Sequence, residues 1–125
     1  MDLVGEETEV LFTRGCEVTD LKEVDWDEEK DEPVFEKLDE SGTILEAAEM
    51  ARQADVAILV LGTNLDVANE AADRSDLDLP GNQLALAKAV YDANPNTVAV
   101  LINGMPLDVS WLDQNVPAML EAWYP

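Results

Sequence analysis

Between Gly62 and Gly81 the chain carries Asp66, Glu70, Asp73, Arg74, Asp76 and Asp78 on a stretch with no helical or alternating apolar period. A carboxylate on such a loop is a candidate for acid/base chemistry. A glutamate reaches through three rotatable bonds, and burial beside a substrate raises its pKa toward that of a useful general acid. The competing reading is a solvated loop, the ordinary state of an acidic side chain in a protein with 28 acidic and 7 basic residues. The choice depends on where the flanking elements put the loop.

Val56 to Leu61 is an unbroken apolar run rich in β-branched residues, the composition of a parallel strand covered on both faces. It ends at Gly62, and helical spacing resumes only near Gly81, so the intervening loop is roughly seventeen residues where ~2 to 6 is usual. In open α/β sheets the carboxyl ends of the strands are where ligands sit. Pro80-Gly81 predicts a turn and Gln83 to Ala93 a helix with Leu84, Ala87, Val90 and Tyr91 inward, stopped by Asn94-Pro95-Asn96. Thr97 to Ile102, TVAVLI, is a second buried strand. Asn103-Gly104 leaves from the same edge as Gly62, because two strands joined by a helix form a right-handed βαβ unit whose loops face one crevice.

The remaining elements are weaker. Pro106 to Trp111 predicts a short turn or helix, and Pro117 leads into a third parallel strand within AMLEAWY. Upstream, Ser41 is the expected N-cap of a helix whose apolar face is Ile44, Ala48 and Ala51, flanked by Leu45, Ala47 and Ala54 and ended by Asp55. Glu9 to Thr13 reads as a first short strand. Glu17 to Glu40 has no sustained period and is expected to be an acidic surface excursion held by isolated anchors, among them Trp26. The expected fold is α/β: a mainly parallel sheet with helices on both faces, flavodoxin-like in arrangement, forming a single partial domain over residues 1–125.

The formal charge of −21 excludes two classes of partner. Nucleic acid requires Lys and Arg stripes, and an anionic membrane surface requires the same. Between Glu17 and Glu40 there are 12 acids against 3 lysines, and the other 16 acids and 4 bases spread over the rest, so the acidity is general rather than a tail. Few lysines and many carboxylates over an ordinary apolar pattern are the composition of proteins adapted to concentrated salt. There is no histidine. Cys16 is the only cysteine, so no internal disulfide can form.

Four segments carry a family likeness: VLGTN, NEAADRSDLDLPGNQ, NPNTVAVLINGMPLDVSW and VPAMLEAWYP, in that order between Val60 and Pro125, with VLFTRGC at 10–16 ahead of them. The ordered set resembles the second, α/β-sandwich domain of glycoside hydrolase family 3, the β-glucosidases and β-xylosidases. The resemblance implies a retaining hydrolase acting on terminal β-linked sugars. Its aspartate nucleophile lies on a preceding barrel domain, and its acid/base is a glutamate on the loop between the GTN-like strand end and the DR-x-x-L-x-LPG motif. In NEAADR the matching position is Glu70, with Asp66 as the competitor.

Asp73 and Arg74 match the motif's DR pair, in a substrate-binding role or as a clamp that holds the loop. Leu79, Pro80, Gly81 and Gln83 match its structural part, and Asn103-Gly104 either line the crevice or form a turn. The implied partners are the barrel domain of the same enzyme and a carbohydrate; no cofactor or metal is implied.

The likeness also has departures. Thr63 stands where many members have a glutamate, and the GxEGG-like segment that follows WYPG in the family falls beyond Pro125, so a truncated domain is expected, inactive without its barrel. Some members take their acid from an Asp-His pair on the barrel instead. The alternative function is a non-catalytic flavodoxin-like module that binds a ligand or partner at the same edge. A nucleotide fits it poorly, since the one strand-to-helix glycine follows Leu79-Pro80 and a row of aspartates.

Overall fold

The structure is a computed structural model and describes residues 5–65, 67–68 and 74–124. In chain order the elements are β1 (Leu21–Asp27), β2 (Glu32–Lys37), α1 (Ser41–Gln53), β3 (Ala57–Gly62), α2 (Gln83–Ala93), β4 (Thr97–Ile102), α3 (Ser110–Asn115) and β5 (Ala118–Glu121). The parallel sheet has the order β3-β4-β5. β3 pairs with β4 from Ala57↔Thr97 to Gly62↔Ile102, and β4 with β5 from Val98↔Ala118 to Leu101↔Glu121. The expected α/β class and the parallel sheet are therefore present, and β4 and α2 have the expected bounds.

The layering differs from expectation. Ala57, Leu59 and Leu61 of β3 and Ala99 and Leu101 of β4 are buried against Ala47 and Ala51 of α1, Leu86, Ala87 and Val90 of α2 and Leu112 of α3. Two right-handed crossovers stepping in the same direction along a sheet put their helices on one side. Among the described residues that side alone is covered: Ile58 and Val60, expected to be buried, are 68% and 59% exposed. The β-branched run provides for two covering layers, and the described helices form one.

Alanines dominate the contact between α1 and α2, where Ala47, Ala48, Ala51 and Ala87 are buried. Small side chains on both partners let the helix axes approach closely. Leu45, expected on the flank of the apolar face of α1, is exposed, and Leu86 takes the buried place expected for Leu84 on α2. Tyr91 is half-buried, edge-on to Trp111 of α3 at 5.7 Å between ring centroids, with Lys88 Nζ 5.8 Å from the same indole. Asn94, expected only to stop α2, also donates through Nδ2 to the Ala51 and Ala54 carbonyls at the end of α1, at 2.9 and 2.8 Å. One amide thus closes two helices.

Ser41 is not the N-cap. It is the first residue of α1; Glu40 holds the cap position without a capping side-chain bond, and the Ser41 N–H donates to Asp39 Oδ1 at 3.1 Å. The bonds from Ser41 hold the Asp39 carboxyl below the usual carboxylate range. The helix expected over Pro106 to Trp111 is α3, which starts later, at Ser110.

Two N-terminal expectations are overturned. Glu9 to Thr13 forms no strand; among the described residues no segment pairs with it, and Phe12 is 86% exposed. Residues 17–40 are not irregular: β1 and β2 form an antiparallel hairpin from Leu21↔Lys37 to Asp27↔Glu32, with a bulge between Glu23 and Asp25. Its apolar residues, including Trp26 and Phe35, remain largely exposed, so it is a surface excursion built as a hairpin.

Charge on the described surface is unbalanced. Arg14, Lys30, Lys37, Arg52 and Arg74 each pair with a carboxylate, yet the chain has four acids for every base. Such pairs contribute little when exposed, and the unpaired carboxylates repel one another. The thermal midpoint should therefore rise with KCl as the Debye length shrinks from ~10 Å at 0.1 M to ~3 Å at 1 M. The expected gain is roughly 5 to 15 °C, the scale of a kcal/mol or two in a domain of this size. A midpoint that is flat or falls with added KCl overturns salt adaptation.

Candidate functional site

The site is the crevice at the carboxyl ends of β3 and β4, and its geometry starts with Gly62. Gly62 has φ +143, and a Cβ there would lie 2.0 Å from the Ile102 carbonyl oxygen, so the strands close to a distance only glycine permits. Gln83, 3% exposed at the start of α2, satisfies this strand end. Its Oε1 accepts from the Gly62 N–H at 2.7 Å, and its Nε2 donates to the Gly62 carbonyl at 2.8 Å and the Val18 carbonyl at 3.2 Å. The structural role expected of Gln83 is thus observed, with the N-terminal segment tied in as well.

One residue further, the buried Thr63 donates its N–H to the Ile102 carbonyl at 2.9 Å, and its hydroxyl lies 2.7 Å from Tyr124 Oη. The Asn64 carbonyl then accepts from Val67 at 3.3 Å and Ala68 at 2.9 Å, so the loop begins as a short helical turn. Its far end is held at two points. Arg74 Nη2 donates to Asp76 Oδ1 at 3.1 Å and to the Asp78 carbonyl, and the Asp108 N–H donates to the Leu77 carbonyl at 2.6 Å. Asp108, just before the N-cap of α3, also accepts from the Ser110 hydroxyl and N–H, and these bonds hold its carboxyl below the usual range. A shallow cavity of about 440 Å³ lies against Arg74, Asp76, Asp78 and Leu79 to Gly81.

Of the residues singled out from the sequence, Glu70, Asp66 and Asp73 lie outside the described residues. Arg74 bonds Asp76 and the backbone of its own loop, the arrangement of a clamp, and its Nη1 is buried without a partner among the described residues. Leu79 and Pro80 are buried. Asn103, 5% exposed, donates through Nδ2 to the Met105 carbonyl at 2.9 Å, which fixes the turn after β4. Gly104 lies under the Tyr124 ring.

Sequence reasoning missed Tyr124 and Glu40. The buried Glu40 carboxylate accepts from the Glu17 N–H at 2.5 Å and from Asn82 Nδ2 at 2.9 Å, joining the N-terminal segment to the starts of α1 and α2. Nothing local in the sequence marks a link across 42 residues. Beside it, burial and the nearby Glu40 and Glu17 carboxylates push the Cys16 thiol up to about 11, which leaves it protonated at neutral pH.

Comparison with known proteins gives the same reading for the chain as a whole. A β-xylosidase of Formosa agariphila is 30% identical over 97% of this chain, and the periplasmic β-glucosidase of Salmonella typhimurium is 33% identical over 97%. The crystal structure of the β-glucosidase from Kluyveromyces marxianus in complex with glucose superposes with a TM-score of 0.65 at 38% identity, covering 74% of this chain and 11% of that one. The chain spans 14% and 16% of the two relatives' lengths, so they are much larger proteins. Residues 6–125 match the glycosyl hydrolase family 3 C-terminal domain, and the chain belongs to that family.

Proposed function

We propose that this chain serves a retaining β-glucosidase-like hydrolase, supplying the loop whose Glu70 is the general acid/base. The observation that carries the reading is where the chain leaves and rejoins the described structure on either side of that segment: it exits β3 at the ligand edge of the parallel sheet, fixed by Thr63 and Gln83, and is held again from Arg74 onward by Arg74 and Asp108. A carboxyl group that must meet a glycosidic oxygen in another domain's pocket needs a loop long enough to reach and ends firm enough to aim it. The names of the relatives, β-glucosidase and β-xylosidase, support a terminal β-linked sugar as substrate.

In this reading the nucleophile is a carboxylate on the barrel domain of the same enzyme. It attacks the anomeric carbon while Glu70 gives its proton to the departing oxygen; Glu70, now a base, then takes a proton from the water that cleaves the glycosyl-enzyme bond. Arg74 acts through the loop, clamping the Asp78 carbonyl. This chain alone is inactive, because the nucleophile and most of the sugar pocket are elsewhere.

Product stereochemistry tests the reading directly. The full-length enzyme should release a first-formed sugar of retained β configuration. Its Glu70→Ala variant, given azide and an activated aryl glycoside, should form the β-glycosyl azide, because the anion attacks the glycosyl-enzyme without a base. An inverted first product, or no azide adduct, overturns it.

A further inference from the structure

We propose that the β1–β2 hairpin is a carbohydrate-binding arm of the complete enzyme, with Trp26 and Phe35 stacking on sugar rings of a β-linked oligosaccharide whose terminal unit occupies the crevice. The inference rests on the reading of the substrate as a terminal β-linked sugar and adds where the rest of that substrate lies. It makes no use of which residue is the acid/base.

The bulge in β1 creates the face that would do this. Side chains opposite one another across a ladder share a face, and successive ones alternate. On β2, Pro33, Phe35 and Lys37 therefore point one way and Glu32, Val34 and Glu36 the other. Their partners on β1 are Trp26, Glu23 and Leu21 on the first face and Asp27, Asp25 and Lys22 on the second. Without the extra residue between Glu23 and Asp25, Trp26 would fall on the side opposite Leu21 and Phe35; a bulge re-aims every side chain beyond it. One face thus gathers Leu21, Trp26, Pro33 and Phe35 beside Glu23 and Lys37, whereas on the other Val34 is the one uncharged residue of the paired positions.

Three properties of the first face select its ligand. It is open: Leu21, Trp26 and Phe35 are 47%, 48% and 53% exposed, and the two strands pack chiefly on each other. It sets rings next to hydrogen-bonding groups, as a pyranose requires, whose C–H face lies on an aromatic ring while its hydroxyls bond a carboxylate or ammonium. It also belongs to a stretch of 12 acids and 3 lysines. A neutral ligand meets no repulsion there, but an anion does, and so does a second copy of this chain with its own charge of −21.

The base of the hairpin is fixed at the rim of the crevice. The Leu38 N–H donates to the Asp20 carbonyl at 2.7 Å, and Lys37 Nζ lies 2.9 Å from Asp20 Oδ2. Next to that closure the Val18 carbonyl accepts from Gln83 Nε2, and a Cβ on Gly81 would lie 2.8 Å from the Asp20 nitrogen. Gly81 also lines the cavity of about 440 Å³, so the arm starts at that cavity, and the seven residues of β1 extend roughly 20 Å. That length meets a chain of sugars rather than a terminal unit alone.

The test uses the full-length enzyme and a thio-linked β-tetrasaccharide, which it binds without cleaving, with the thio-linked disaccharide as the short reference. Calorimetry gives Kd for each. Trp26→Ala and Phe35→Ala should each weaken the tetrasaccharide roughly 5- to 50-fold, the scale of losing one flat stacking partner, and should change the disaccharide less than about twofold. Trp26→Tyr should keep most of the affinity. Trp26→Ala combined with Asp25→Trp, which puts the indole on the charged face, should not restore it.

Equal binding of the two ligands by the parent enzyme overturns the arm, as does undiminished binding by the variants or recovery with Asp25→Trp. An equal loss on both ligands also overturns it, since a contact with the barrel domain or loss of folded enzyme gives that result. A change in sedimentation of the variants assigns the face to contact between copies and overturns it too. Binding of an uncleavable ligand needs no acid/base, so near-normal turnover by Glu70→Ala removes that assignment and leaves the arm standing. A parent enzyme that binds neither ligand takes the substrate reading and the arm down together.

Discussion

Replacing Glu70 by alanine in the full-length enzyme should lower turnover of alkyl β-glycosides by roughly 10²- to 10⁴-fold, the usual scale for removing a general acid/base. The loss depends on the leaving group. An alkoxide departs only if it is protonated in the transition state, whereas an activated phenolate departs without help, so glycosylation by a dinitrophenyl glycoside should be nearly unaffected. The second step then becomes slow for every substrate, because water needs a base; azide, which does not, should speed it. The alkaline limb of the pH profile for kcat/KM, which reports loss of the acid's proton, should disappear with Glu70. Asp66→Asn should leave all of these behaviours in place. Near-normal turnover of alkyl glycosides by Glu70→Ala would move the role to Asp66 or to an acid on the barrel.

The largest expected effect on folding is at Gly62. Gly62→Ala would set a methyl carbon 2.0 Å from the Ile102 carbonyl oxygen and 2.7 Å from its carbon, at φ +143, where side chains rarely go. The obstructing atoms are backbone of β4, so relief requires the two strands to part where they are paired, and the Thr63 N–H loses the Ile102 carbonyl with them. The cost should exceed about 3 kcal/mol, in the range of clashes that a packed structure cannot relax. Gly42→Ala is the control: in the first turn of α1, a Cβ meets nothing within 4 Å, and the change should be neutral or stabilise by about 0.5 kcal/mol. Urea midpoints of the chain in molar KCl measure both. A Gly62→Ala midpoint equal to that of the parent would overturn the close-approach account.

Where local chemistry and pattern coincide, the sequence alone was enough. Gln83–Ala93 and Thr97–Ile102 were legible to the residue, because proline, asparagine and glycine punctuate an apolar period at both ends. The parallel pairing followed from two buried strands joined by a helix, and the family from four motifs in order. The candidate loop was legible as a place, the long exit from β3, and Glu70 as a position in a motif.

Other features had no local mark. The β1–β2 hairpin shows no alternation along the chain because a bulge in β1 shifts the phase of its side chains, and a bulge belongs to the pairing of two strands rather than to the pattern of one. Glu9 to Thr13 has strand composition but no pairing segment among the described residues, and backbone pairing is what makes a strand.

The apolar run in β3 specifies residues suited to burial on both faces, yet which face is covered depends on where the crossovers place the helices: Leu59 is buried and Ile58 is bare. The contacts that shape the crevice join residues far apart in the chain: Glu40 with Asn82, Gln83 with Val18, and Thr63 with Tyr124. Spacing along a chain encodes periodicity and turns over a few residues; partners 42 to 65 residues apart are selected only when the sheet and helices pack, and that packing decided which polar groups meet at the mouth of this crevice.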